Sequence, residues 1–170
     1  MLKKKMLKAL NDQINAELYS SYLYLSMESY FQSVSLSGFA GWMRAQVQEE
    51  LFHGMKLYDY VNERGGKVIL DTIAKPDSSW KTPLVAFEHI LKHEQMVTSM
   101  INDLMDLAIA EQDHATKIFL QWFVSEQVEE EASVGEVVDK LQLIKNDSSG
   151  LFFLDAELGK RVFVLPQKGE

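Results

Sequence analysis

Three observations predict an all-α fold: a bundle of four long helices with a long crossover between the second and third and a short fifth helix at the C-terminal end. Apolar residues recur at helical spacing through four long stretches. The three prolines, Pro76, Pro83 and Pro166, all fall outside those stretches, where they interrupt no helix. The chain also repeats itself. Glu17 and Glu50 are 33 residues apart, as are Glu94 and Gln127, and an offset of 77 carries Glu17 onto Glu94, Glu49 onto Glu126, Glu50 onto Gln127 and His53 onto Glu130. A duplicated helical hairpin gives that pattern, with each copy supplying half of one shared centre.

The first helix is expected from about Lys5 to Gln32, ending in the serine-rich turn Ser33-Val34-Ser35-Leu36-Ser37-Gly38 with Ser37 as the next N-cap. The second runs from about Phe39 to Arg64 and is stopped by Gly65-Gly66. Thr82-Pro83 starts the third, which continues to about Glu111, because proline suits a first helical position. Asp113 caps the fourth, which ends near Lys145; Asn146 to Gly150 reads as a turn, and a short amphipathic fifth helix is expected around Asp155 to Lys160. The link from Gly65 to Lys81 is too long for a simple turn between antiparallel helices. At roughly 3.3 Å per residue it can run the length of the bundle, which makes the second and third helices parallel. Its run Lys67-Val68-Ile69-Leu70 reads as an extended edge able to pair with a partner subunit.

At 170 residues, with 46% hydrophobic and 11% aromatic residues, residues 1–170 read as a single domain able to bury its core without disulfides. Seventeen basic against 25 acidic residues leave a net charge of -8, which disfavours nucleic acid as a partner and favours cations. The absence of cysteine excludes disulfides and thiolate-bound clusters, so any metal is held by oxygen and imidazole. The lysine-rich start is followed by Asn11, Asp12, Gln13 and Asn15 rather than an apolar run, and no stretch approaches the ~20 apolar residues of a membrane span, so a cytoplasmic protein is expected.

The chemistry lies where apolar stripes are broken. Residues seven apart share a helix face, and by that test Glu17 stands between Leu10 and Tyr24, Glu50 between Met43 and Leu57, and Glu94 between Phe87 and Ile101. Gln127 stands between Leu120 and Val134, and Glu130 between Phe123 and Val137. Buried carboxylates need counter-charge, and little lysine or arginine lies on those stripes. Glu50-x-x-His53 adds an imidazole on the adjoining turn of the same face, a weak motif alone and a strong one in this company. The natural partition gives Glu17 and His53 one ion, Glu94 and Glu130 another, Glu50 a bridging place between them, and Gln127 a weak place beside the second. Two such ions can each give one electron to a shared oxidant.

Glu17, Tyr24, Glu49-Glu50-x-x-His53, Glu94 and Glu126-Gln127-x-x-Glu130, with Glu129 beside it, closely resemble the non-haem ferritins of bacteria over nearly the whole chain. The resemblance implies a ferroxidase that oxidises two Fe2+ at each bundle centre with O2 or H2O2. It implies storage of ferric mineral inside a hollow homo-oligomeric shell of about two dozen subunits. It also implies a third, weaker iron position made by Glu49, Glu126, Glu129 and Glu130, and a role for Tyr24 in hydrogen-bonding a ligand or lending an electron. No haem is expected. Leu51 follows Glu50 where haem-containing relatives carry methionine, and Gln127-x-x-Glu130 replaces their second Glu-x-x-His. Zero cysteines oppose a rubrerythrin-like peroxidase, and the complete ligand set within one chain opposes a DNA-binding miniferritin. A non-catalytic helical interaction module is the reading from another class. Glu129 has a solvated acidic face as its plainer explanation. His89 and His93 share spacing that can bind zinc or iron, but with Ile90, Leu91 and Glu94 on the inward stripe they read as surface residues, and Trp122 reads as packing.

Overall fold

The computed structural model describes residues 1–145 and 147–165. Among these residues five helices follow in order: α1 (Lys4–Ser33), α2 (Ser37–Glu63), α3 (Pro83–Ala110), α4 (His114–Ile144) and α5 (Ser148–Leu158). The predicted ends of the long helices hold to within a few residues because their stop signals are local. Thr82 accepts from the Val85 N–H and Asp113 from that of Thr116, satisfying first-turn donors that have no helical partner. Gly65 adopts φ +69, the left-handed conformation that ends α2 and that only glycine takes without strain.

Two expected elements differ. Ser37 does not cap α2; it is the first helical residue, and the N–H groups of Gly38 and Phe39 donate to Asp155 Oδ1 at 2.8 and 3.0 Å. The cap therefore comes from α5, which no local signal around Ser37 can reveal. α5 begins at Ser148 rather than near Asp155, because Asp147 accepts from the N–H groups of Ser149 and Gly150 and so starts the helix inside the stretch read as a turn. Asn146 itself lies outside the described residues, as do 166–170. Only Leu154 and Leu158 of α5 are buried, too few to set a clear period.

The link between α2 and α3 crosses the bundle as expected, but 67–70 forms no strand. Side chains of α1 take up its backbone instead. Ile69 N–H donates to Asn11 Oδ1 at 2.7 Å, Asn11 Nδ2 donates to the Lys67 carbonyl at 3.3 Å, Asn15 Nδ2 to that of Thr72 at 3.3 Å, and Ser26 Oγ to that of Asp77 at 2.6 Å. These contacts climb α1 from Asn11 to Ser26, about 22 Å at 1.5 Å per residue, and deliver the chain to the far end, so α2 and α3 are parallel.

The core is divided. One apolar cluster holds Leu23, Met27 and Phe31 of α1, Phe39 and Met43 of α2, Phe87 and Ile90 of α3, and Val134 and Leu141 of α4. The other holds Met6, Leu10 and Ile14, Leu57 and Val61, Val97 and Ile101, and Leu120 and Phe123. Between them every long helix contributes buried polar residues. α5 closes the first cluster, lying so near α2 that a Cβ added at Gly38 would fall 1.6 Å from the Asp155 carbonyl oxygen. Alanine ordinarily favours a helix over glycine, yet Gly38→Ala is expected to destabilise the chain by about 1–3 kcal/mol through overpacking. Chemical denaturation checks this; an increase in stability would show that α5 does not dock here. None of the described helices is long and apolar enough to cross a membrane.

Candidate metal centre

The polar layer is built one turn at a time. Glu17 projects from α1, Gln46, Glu50 and His53 from α2, His93 and Glu94 from α3, and Gln127 and Glu130 from α4, all of them buried. Glu17, Glu50 and His53 can present one ligand atom each within 4.8 Å of one another, and among the described residues no other three acidic or imidazole groups do so. His53 Nδ1 lies 3.6 Å from Glu50 and 4.0 Å from Glu17 Oε2, and that Glu17 oxygen is buried without a hydrogen-bond partner. Its other oxygen accepts from Gln13 Nε2 at 2.8 Å. The amide fixes the carboxylate and leaves one lone-pair-bearing atom turned toward His53, the arrangement a cation would complete.

The opposite half is tied by hydrogen bonds. Tyr24 Oη donates to Glu94 Oε1, and Gln127 Nε2 donates to Glu94 Oε2 at 3.3 Å and to Thr98 Oγ1 at 3.3 Å. Gln46 Nε2 donates to Glu130 Oε2 at 2.9 Å. Glu126 is half-buried, and Glu129 is exposed. Glu49, also half-buried, pairs with Arg161 at 2.8 Å.

Among the described residues no lysine or arginine pairs with Glu17, Glu50, Glu94 or Glu130. Burial therefore dominates the titration of Glu50, Glu94 and Glu130. It pushes Glu50 well above the usual carboxylate range, helped by the charges of Glu94, Glu17 and Glu130. Burial pushes Glu94 up to about 7, against the opposing hydrogen bonds from Tyr24 and Gln127. It pushes Glu130 up to about 8, with Glu49 and Glu94 adding repulsion and Arg161 and Gln46 opposing. Glu126 is raised by burial and then by Glu129 and Glu49. His53 is lowered by burial, which favours the neutral imidazole that can bind a metal. Burial raises Tyr24 well above its usual value, and Glu94, Glu50 and Glu130 add to it, so the phenol stays a donor.

The histidines differ from the expectation. His93 is buried, its Nε2 2.8 Å from Ser20 Oγ and its ring edge-on to Tyr19 and Tyr24. His89 is half-buried and accepts from Trp80 Nε1 at 3.0 Å. The inward face of α3 runs Ile90, His93, Glu94, Val97, the i, i+3, i+4, i+7 set, and half-buried Leu91 lies beside it. Trp122 packs against His53 with ring centroids 5.3 Å apart and carries Lys56 3.9 Å over its face. Sequence reasoning does not reach Gln13 or Gln46: Gln46 has apolar Phe39 one heptad before it but the polar His53 one heptad after, so it meets only half of the test that finds the acids. The 77-residue offset places Ile90 and Phe123 opposite them, so these two amides depart from the repeat.

The Ferritin-like domain family model matches residues 7–144. A bacterial non-heme ferritin of Bacteroides fragilis is 46% identical over 161 residues, 95% of this chain and 100% of that protein. One of Staphylococcus saprophyticus is 42% identical, with 96% and 98% covered. Among solved structures, an open pore ferritin from the hyperthermophilic archaeon Archaeoglobus fulgidus superposes with a TM-score of 0.94 at 56% identity, covering 95% of this chain and 99% of that one.

Proposed function

The chain belongs to the ferritin-like domain family, and from that premise we propose a division of labour among its buried residues. It is an iron-storage protein with ferroxidase activity, all-helical and free of any cysteine-borne cofactor. The observation that carries the assignment is the convergence of Glu17, Glu50 and His53, with an unpartnered Glu17 oxygen facing the imidazole. One Fe2+ binds there. A second binds between Glu94 and Glu130 beside Gln127, and Glu50 bridges the two, a place supported by the charge it feels from both halves. Each ion loses one electron to O2 or H2O2, and the ferric product moves inward as mineral. The amide of Gln127 holds it weakly, which favours release.

Tyr24 anchors Glu94 through its hydroxyl. Glu49, Glu126, Glu129 and Glu130 form a third, weaker iron position, supported by Glu49, whose charge adds to burial in raising both Glu126 and Glu130. The whole of 1–170 acts as one domain in the cytoplasm. Chains assemble into a homo-oligomeric shell of 24, which is supported by exposed apolar residues such as Phe152, Phe153 and Leu143.

Aerobic addition of Fe2+ in excess to the iron-free protein tests storage. Iron is expected to co-elute with protein in a particle many times larger than the 19.5 kDa chain. Iron that precipitates as it does in protein-free buffer would sink the proposal.

A further inference from the structure

Glu49, assigned above to the third position, already has a cation beside it, and the chain supplies that cation. Beyond α5 the backbone turns back along α2. Asp155 and Gly38 fix where it starts, through the two capping hydrogen bonds and the backbone contact described above. Phe163 then meets Phe52 with ring centroids 6.1 Å apart. Between these two anchors Arg161 lies with its guanidinium 4.5 Å over the Trp42 ring and Nη2 donating to Glu49 Oε2 at 2.8 Å. Both side chains of the pair are about three-quarters shielded from water. Lys56, the other cation whose charge reaches this group, lies over Trp122 and makes no ion pair within 4 Å among the described residues.

We propose that Arg161 is an internal competitor for the third iron position, neutralising Glu49 while the position is empty and moving aside only when a metal ion takes its place. The proposal rests on the assignment of that position to Glu49, Glu126, Glu129 and Glu130. Its consequence is an order of filling. An ion at the Glu17–Glu50–His53 group displaces no cation, whereas an ion reaching Glu49 must first break a charge-assisted hydrogen bond. The guanidinium stays stacked on Trp42, so it remains close enough to return once the ion leaves.

Calorimetric titration of the assembled, iron-free protein with Zn2+, which cannot be oxidised, tests this in wild type, Arg161→Gln, Arg161→Lys and Glu49→Gln. In Arg161→Gln the weakest class of sites is expected to tighten about tenfold while the central pair keeps its affinity. Arg161→Lys, which retains the charge, is expected to stay near wild type, and Glu49→Gln to lose the weak class. Three results overturn the proposal. Unchanged weak binding in Arg161→Gln, with loss in Glu49→Gln, removes the competition and leaves the third position standing. Tightening by Arg161→Lys equal to that by Arg161→Gln shows that shape, not charge, is at work. Weak binding that persists in Glu49→Gln removes the third position itself, and the proposal with it.

Discussion

Replacing Glu50 by alanine is expected to slow aerobic iron oxidation at least ~100-fold while the chain still folds. Glu50 is buried at the centre of the polar layer, 3.6 Å from His53, and it feels Glu17, Glu94 and Glu130 from the other helices. On the proposed assignment, in which Glu50 bridges the two ions, its removal would deprive both of their shared ligand and uncouple the two electron transfers. Folding survives because the lost carboxylate was itself repelled by its neighbours, which offsets part of the cavity left behind. Anaerobic loading with Fe2+ followed by air, read as ferric absorbance, makes the measurement, and Glu50→Gln controls for the cavity. Oxidation by Glu50→Ala within about twofold of wild type would demote the acidic centre to a structural feature and leave an interaction module as the better reading.

The second large effect is on stability. Glu94 and Glu130 titrate at about 7 and about 8 in the folded chain, against an ordinary 4.5, and Glu50 is raised as well. Between those values the folded chain holds more protons than the unfolded one, so stability falls as pH rises. The stabilisation that Glu94 and Glu130 give is complete below about pH 4.5 and is lost as pH rises through their folded values of about 7 and about 8. Each such proton is worth about 1.4 kcal/mol per pH unit. His53, lowered by burial, and His93, lowered to about 4, act in the opposite sense, losing stability as pH falls below 6.5. Iron-free protein should therefore become less resistant to denaturant most steeply between about pH 6.5 and 8. Glu130→Gln should flatten that fall, and Zn2+ should reverse it, because binding requires the deprotonated carboxylates. A flat or rising profile in the metal-free protein would mean that these acids are ionised throughout and are compensated in some other way.

Much of this was legible because the signals were local or periodic. Thr82-Pro83, Asp113 and Gly65 mark helix ends by their own backbone chemistry, and Glu17, Glu50, Glu94, Gln127 and Glu130 stand out against apolar neighbours one heptad away. What escaped depends on distant partners. The cap of α2 is Asp155, 117 residues from Gly38, and the crossover is held by asparagines on α1 rather than by strand pairing. His93 escapes for another reason: Leu91 points to a neighbouring face of α3, and Ala86 seven residues before His93, small and buried, gives little hint of a core. Arg161 lies beyond the last long helix, where no pattern connects it to Glu49.

The division of the core by a polar layer has a consequence for how the helices find their alignment. Two apolar bundles of similar composition could slide past one another by a turn, about 5.4 Å, at little cost in buried surface. Here such a slip would drive Glu17 toward the level of Leu57 or Glu94 to that of Ile90, placing a carboxyl group among side chains that can neither hydrogen-bond it nor offset its charge. Only one alignment brings all the acids to the same height. The buried polar layer therefore also acts as the ruler against which four long helices set their register.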